Sequence, residues 1–95
     1  MSDPRQVLKA PDVLLQDLEG EAVLLNLKNG QYYGLDENSF RMYKSLISSP
    51  SVEAACTALV QEFEVQPEQL KADIDQFLAH LLENGLITYS TGGPE

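Results

Sequence analysis

The chain has 95 residues, 43% of them apolar, with 15 acidic against 6 basic side chains and a net charge of −9. A chain of this length makes one small domain burying roughly 60–70% of its unfolded surface, and its apolar fraction is too high for a disordered protein. The acidic excess argues against nucleic acid and against an anionic membrane surface as partners, because both are held by Lys and Arg.

Residues 1–11 carry Pro4 and Pro11 among mixed polar residues and read as a flexible N-terminal arm. Residues 12–90 read as the folded domain, and 91–95, rich in Gly and Pro, as a disordered tail. Within the domain, 12–18 is apolar-rich and ends in Glu19-Gly20-Glu21, a turn; 22–27 follows, then a second turn, then 32–35. Asn29-Gly30 between apolar runs is a strong hairpin signal, since both central residues of a type I′ turn need positive φ. With Asn29-Gly30 as a two-residue loop, Leu27 faces Tyr32 and Asn26 faces Tyr33. Leu25, Leu27 and Tyr32 then share one face, and Leu24, Tyr33 and Leu35 the other. Both faces are apolar, so both require cover.

Three helices follow. Asp36 is placed to cap the first, whose apolar stripe is Phe40, Tyr43, Leu46 and Ile47. Ser51 caps the second, with Val52, Ala55, Cys56, Leu59, Val60 and Phe63 on one side. Pro67 sits in the first turn of the third, where its missing N–H costs nothing. The third stripe is Leu70, Ile74, Phe77, Leu78, Leu81 and Leu82, and Gly85 ends it in the left-handed cap position. Residues 86–89 form a short terminal strand. The expected fold is therefore α+β and winged helix-turn-helix-like: a three-stranded antiparallel sheet, three helices and a short C-terminal strand.

Catalytic chemistry has little to work with. One His, one Cys and no Trp leave Cys56 and His80 as the sole thiol–imidazole pair, on helix positions that face different ways. Cys56 reads as core packing and His80 as a solvated residue. Asp73 and Asp75 diverge, being two apart on a helix. The third helix, which reads DNA in a winged helix, is acidic here. The longest apolar run, 22–25, is too short for a bilayer span, and the N-terminus has no signal-peptide pattern. A lone cysteine forms no internal disulfide, so the expected location is the cytoplasm and the expected cofactor set is empty. Tyr32 and Tyr33 stand out, because consecutive strand residues point to opposite faces and at most one can enter the helical core.

The hairpin 23–35, the aromatic Tyr43, the Ser51-Val52-Glu53 helix start, and Asp73 with Phe77-Leu78, Leu81 and Gly85-Leu86 together resemble the coenzyme PQQ synthesis protein D (PqqD-like) family, also called the RiPP recognition element. The resemblance covers roughly residues 12–88. It implies a non-catalytic adaptor that binds the leader segment of a ribosomally synthesised precursor peptide and delivers it to a modifying enzyme or a leader peptidase. In that family the leader adds as a strand to an exposed edge and lies against the third helix. Carried over, the edge is Gln31, Tyr32, Tyr33, Gly34 and Leu35, and the groove wall is Ile74 with the flank Lys71, Asp75, Leu78 and Leu82. The opposite flank, with Asp73 and His80, is the alternative. Ser39 and Tyr43 depart from the small residue and Trp of many relatives. The Tyr-Tyr-Gly-Leu hairpin looks closer to stand-alone members of lasso-peptide clusters than to members serving quinone cofactor synthesis. Two competing readings stand beside this one: a PQQ-pathway peptide chaperone working with a radical SAM enzyme, and a small homodimeric interaction module whose edge strand pairs with its own copy.

Overall fold

Alternating apolar strands and three amphipathic stripes resolve into two sheets and three helices over residues 5–90, the part of the chain described by the computed structural model. In order these are β1 (Gln6–Lys9), β2 (Val13–Leu18), β3 (Glu21–Asn26), β4 (Tyr32–Leu35), α1 (Glu37–Ser48), α2 (Val52–Phe63), α3 (Pro67–Glu83) and β5 (Ile87–Ser90). The architecture is α+β, with an antiparallel sheet ordered β2-β3-β4 and a separate antiparallel ribbon of β1 and β5.

The ribbon corrects the expectation of a loose arm over residues 1–11. Val7 pairs with Tyr89 and Lys9 with Ile87, Val7 and Ile87 are buried, and the Val52 amide donates to the Arg5 carbonyl at 2.8 Å. Pro4 and Pro11 bracket only four ladder residues, and their partner lies at the far end of the chain, so local pattern carries no trace of the pairing. Residues 1–4 and the expected tail, 91–95, lie outside the described residues.

The first hairpin turn stands where expected, and the second differs from expectation. Glu19 (φ 59°) and Gly20 (φ 97°) form the two-residue turn with both φ positive, joining Leu18 to its partner Glu21. Asn29-Gly30 instead belongs to a four-residue loop closed by the Asn26 amide on the Gln31 carbonyl, with the Gly30 amide on the Asn26 carbonyl, both 2.8 Å. Side-chain carbonyls hold this loop: Asn26 Oδ1 accepts from the Lys28 amide and Asn29 Oδ1 from the Gln31 amide, both at 2.9 Å. Tyr32 therefore faces Leu25, and Tyr33 faces Leu24, two residues from the expected register. A shift of two preserves the faces, whereas a shift of one would have inverted them.

Val13, Ala22, Leu24 and Leu35 on the inner sheet face pack with Phe40, Tyr43 and Leu46 of α1, Val52, Ala55 and Leu59 of α2, and Leu70, Ile74, Leu78 and Leu81 of α3. Each fully buried Leu or Ile here stabilises the fold by about 1.5–3 kcal/mol. The caps follow the sequence. Asp36 accepts from the Ser39 amide at 2.8 Å, which holds its carboxyl below the usual range, and Ser51 accepts from the Ala54 amide at 3.1 Å. At the end of α3 the Gly85 amide bonds to Leu82 and the Leu86 amide to Leu81, with Gly85 at φ 70°.

Candidate functional site

One edge of the three-stranded sheet is β4, and its backbone divides into groups that serve the fold and groups that do not. The Asn26 amide bonds to Gln31, while the Leu27 amide bonds to Asp12. Even-numbered residues of β3 thus address β4, and odd-numbered ones address β2. By antiparallel alternation, Gln31, Tyr33 and Leu35 exchange hydrogen bonds with β3, and Tyr32 and Gly34 aim their N–H and C=O groups at the open side. Side chains divide in the same way. Leu35 is buried and Tyr33 half-buried against the core, but Tyr32 is 75% exposed on the outer face. A Cβ placed on Gly34 would meet nothing within 4 Å, so the fold itself has no steric need for glycine there.

The outer sheet face is apolar, as both-faced patterning implied. Leu14 and Leu18 of β2 lie exposed on it with Tyr32, and Val23 and Leu25 are half-buried between them. β1 adds no strand to this sheet, because it is paired with β5.

Residues expected on the third helix separate into three environments. Ile74 and Leu78 are buried core residues, so neither presents a wall to solvent. Lys71 and Asp75 form an exposed ion pair at 3.0 Å and line a cleft between α2 and α3 together with Cys56 and Val60. Leu82 is half-exposed on that same flank of the helix. The other flank neighbours α1 at one end and the sheet at the other. Asp73 and Leu70 share a cleft with Asn38 and Met42 of α1, which directly follows β4. At the C-terminal end, Asn26 Nδ2 donates to the Asn84 carbonyl at 3.2 Å. Helical spacing sets Asp73, Phe77, His80 and Asn84 along this one flank of α3.

Asn26 was not singled out by sequence reasoning. It is the one buried polar residue of the described core, 5% exposed, and it clamps the hairpin loop to α3. Its signal was available: a polar residue two positions after Leu24, on the inward parity of the strand. Cys56 is half-buried, packed against the core as expected and also lining the cleft.

Among the described residues no group of three or more His, Cys, Asp or Glu side chains is arranged to hold a metal, and no helix is long and apolar enough to cross a membrane. What the arrangement offers is a strand edge beside a helix flank. Backbone hydrogen bonds along such an edge supply affinity, and side-chain pockets supply selection.

Residues 21–87 match the family described as coenzyme PQQ synthesis protein D. Among solved structures, the chain is similar to TbiB1 in complex with the TbiA(beta) leader peptide, at 28% identity and a TM-score of 0.79, covering 84% of this chain and 93% of that one. It also shares the fold of a lasso peptide synthetase B1 complexed with the leader peptide, at 23% identity and a TM-score of 0.79, covering 87% and 98%. No curated protein matches the chain.

Proposed function

The chain belongs to the coenzyme PQQ synthesis protein D family, and we propose that it is a non-catalytic adaptor of the cytoplasm, binding the leader segment of a precursor peptide and presenting it to a modifying enzyme or leader peptidase. The observation that carries this is the open edge of β4, where Tyr32 and Gly34 direct backbone groups away from the sheet. The likeness to TbiB1 with its bound leader peptide supports the same reading.

In this proposal the leader adds as a strand along residues 31–35, and its inward side chains meet exposed Asp73 and His80, over buried Phe77, rather than Lys71 and Asp75. The binding domain then includes β1, since the ribbon of β1 and β5 completes the core. The outward groups of Tyr32 and Gly34, two donors and two acceptors, are worth about 0.5–1.5 kcal/mol each when paired. Ordering a free peptide costs several kcal/mol or more, so the backbone alone is insufficient and a few buried side chains of the leader must supply the balance.

The test is an NMR titration of the labelled protein with a synthetic leader taken from the short reading frame nearest its gene. Shifts concentrated at 31–35 and at Asp73, Phe77 and His80 are expected. Shifts confined to Lys71 and Asp75 would move the groove to the other flank. An absence of shifts, with sedimentation showing a dimer, would assign the edge to a second copy of the chain.

A further inference from the structure

The flank of α3 that carries Lys71 and Asp75, opposite Asp73, forms the larger of its two concavities. It encloses about 730 Å³ between α2 and α3, and its floor is apolar, with half-buried Cys56 and Val60 on one wall and exposed Pro67 and Ala72 on the other. Each wall spans eight residue steps (53 to 61 on α2 and 67 to 75 on α3), about 12 Å or two helical turns. The rim is acidic. Glu53 in the first turn of α2 and Glu68 in the first turn of α3 put a carboxylate on each wall, and neither has an ion-pair partner among the described residues. The one cation of the rim, Lys71, is held by Asp75 at 3.0 Å.

We infer that this cleft docks a basic amphipathic helix of a protein partner, at a site distinct from the β4 edge. Charge selects the sign of the partner: uncompensated carboxylates on both walls of a chain carrying −9 overall attract Lys and Arg and repel an acidic segment. The walls select its conformation. Both are helices whose backbone groups are satisfied internally, so they offer a strand no ladder to join. A helix brings its own hydrogen bonds and seats a ridge of side chains in the groove between two others. The matching occupant presents about two turns of Leu- or Met-like residues with basic residues on both sides. Because Asp73 and Lys71 lie on opposite flanks of α3, a leader at β4 and a partner helix here can be held at once. The inference does not depend on the leader-binding reading.

The probe is a synthetic 15-residue helix with a leucine ridge flanked by lysines, added to the isotopically labelled full chain, with the same helix carrying glutamate for lysine as control. Saturable shifts centred on Cys56, Val60 and Ala72 are expected from the lysine helix and none from the glutamate helix. Ala72→Arg, at an exposed helical position, and Glu68→Lys should each weaken binding at least tenfold. If Ala72→Arg lowers the melting temperature, Glu68→Lys alone carries the comparison. Non-saturating shifts scattered over the acidic surface, shifts centred on β4, or wild-type affinity in these variants would overturn the inference. Concentration-dependent shifts at the same residues without any helix would overturn it too, assigning the cleft to a second copy.

Discussion

Strand addition at β4 makes a sharp distinction between two adjacent tyrosines. The Tyr32 N–H faces the open side of the sheet, and its ring is 75% exposed. Tyr32→Ala therefore costs the fold only the cross-strand contact with Leu25, about 0.2–1 kcal/mol. Tyr32→Pro removes the ring and the outward N–H while leaving the ladder to β3 intact, the setting in which an edge strand accepts proline. The difference in leader affinity between the two variants thus isolates one backbone hydrogen bond. At about 0.5–1.5 kcal/mol, that is roughly a two- to twelve-fold weaker Kd for the proline variant. Tyr33→Pro is the internal control. It deletes an N–H bonded to β3 and a half-buried ring packed on the core, and should lower stability by more than about 2 kcal/mol. Fluorescence anisotropy with a labelled leader peptide, alongside thermal melts of each variant, reads both effects. Equal affinity in Tyr32→Pro and Tyr32→Ala would refute strand addition at this edge. An unchanged melting temperature in Tyr33→Pro would refute the register itself.

Three further outcomes follow from single residues. Gly34→Ala meets no neighbour and should stabilise by about 0.4–1 kcal/mol through the unfolded chain, a rise of roughly 2–8 °C in Tm for a domain this size. Asn26→Ala strands the Lys28 amide and the Asn84 carbonyl and should cost about 1–3 kcal/mol, with faster hydrogen exchange at Lys28; Asn26→Asp keeps the acceptor for Lys28 and should restore that protection. The buried Tyr43 hydroxyl has no hydrogen-bond partner among the described residues, so Tyr43→Phe should stabilise by about 1 kcal/mol. Burial also pushes the Tyr43 phenol up to about 12. Between pH 10 and 12 the unfolded phenol ionises while the folded one holds its proton, so wild-type stability falls as pH rises, and Tyr43→Phe should lack that contribution in urea titrations across the range.

What could be read from the chain depended on whether the signal was local. The helix starts at Asp36 and Ser51 rest on cap bonds spanning three residues, and that at Pro67 on its fixed φ at the first helical position, so each is found where its residue type requires. Sheet faces survived an error in register, because Leu24 and Tyr33 keep the same parity when a two-residue loop becomes a four-residue one. The turn itself was misassigned because Glu19 adopts positive φ beside Gly20, a conformation its type seldom takes, while Asn29 spends its side chain capping Gln31. The β1 strand was illegible for the opposite reason, its partner being the last strand of the domain. For the candidate site, periodicity named the two flanks of α3 but could not say which one passes the sheet. That depends on the Asn26–Asn84 clamp, a contact between residues 58 positions apart.

The ribbon of β1 and β5 has an architectural consequence. Gln6 stands across from Ser90, so the described chain enters and leaves the fold side by side, far from neither strand of the ribbon. A domain with such neighbouring ends can be spliced into a surface loop of a larger protein, or circularly permuted through a short linker, without reopening its core. The same pairing makes trimming asymmetric: removing the segment before Ala10 would unzip the last strand as well, although the two are separated by the whole helical half of the molecule.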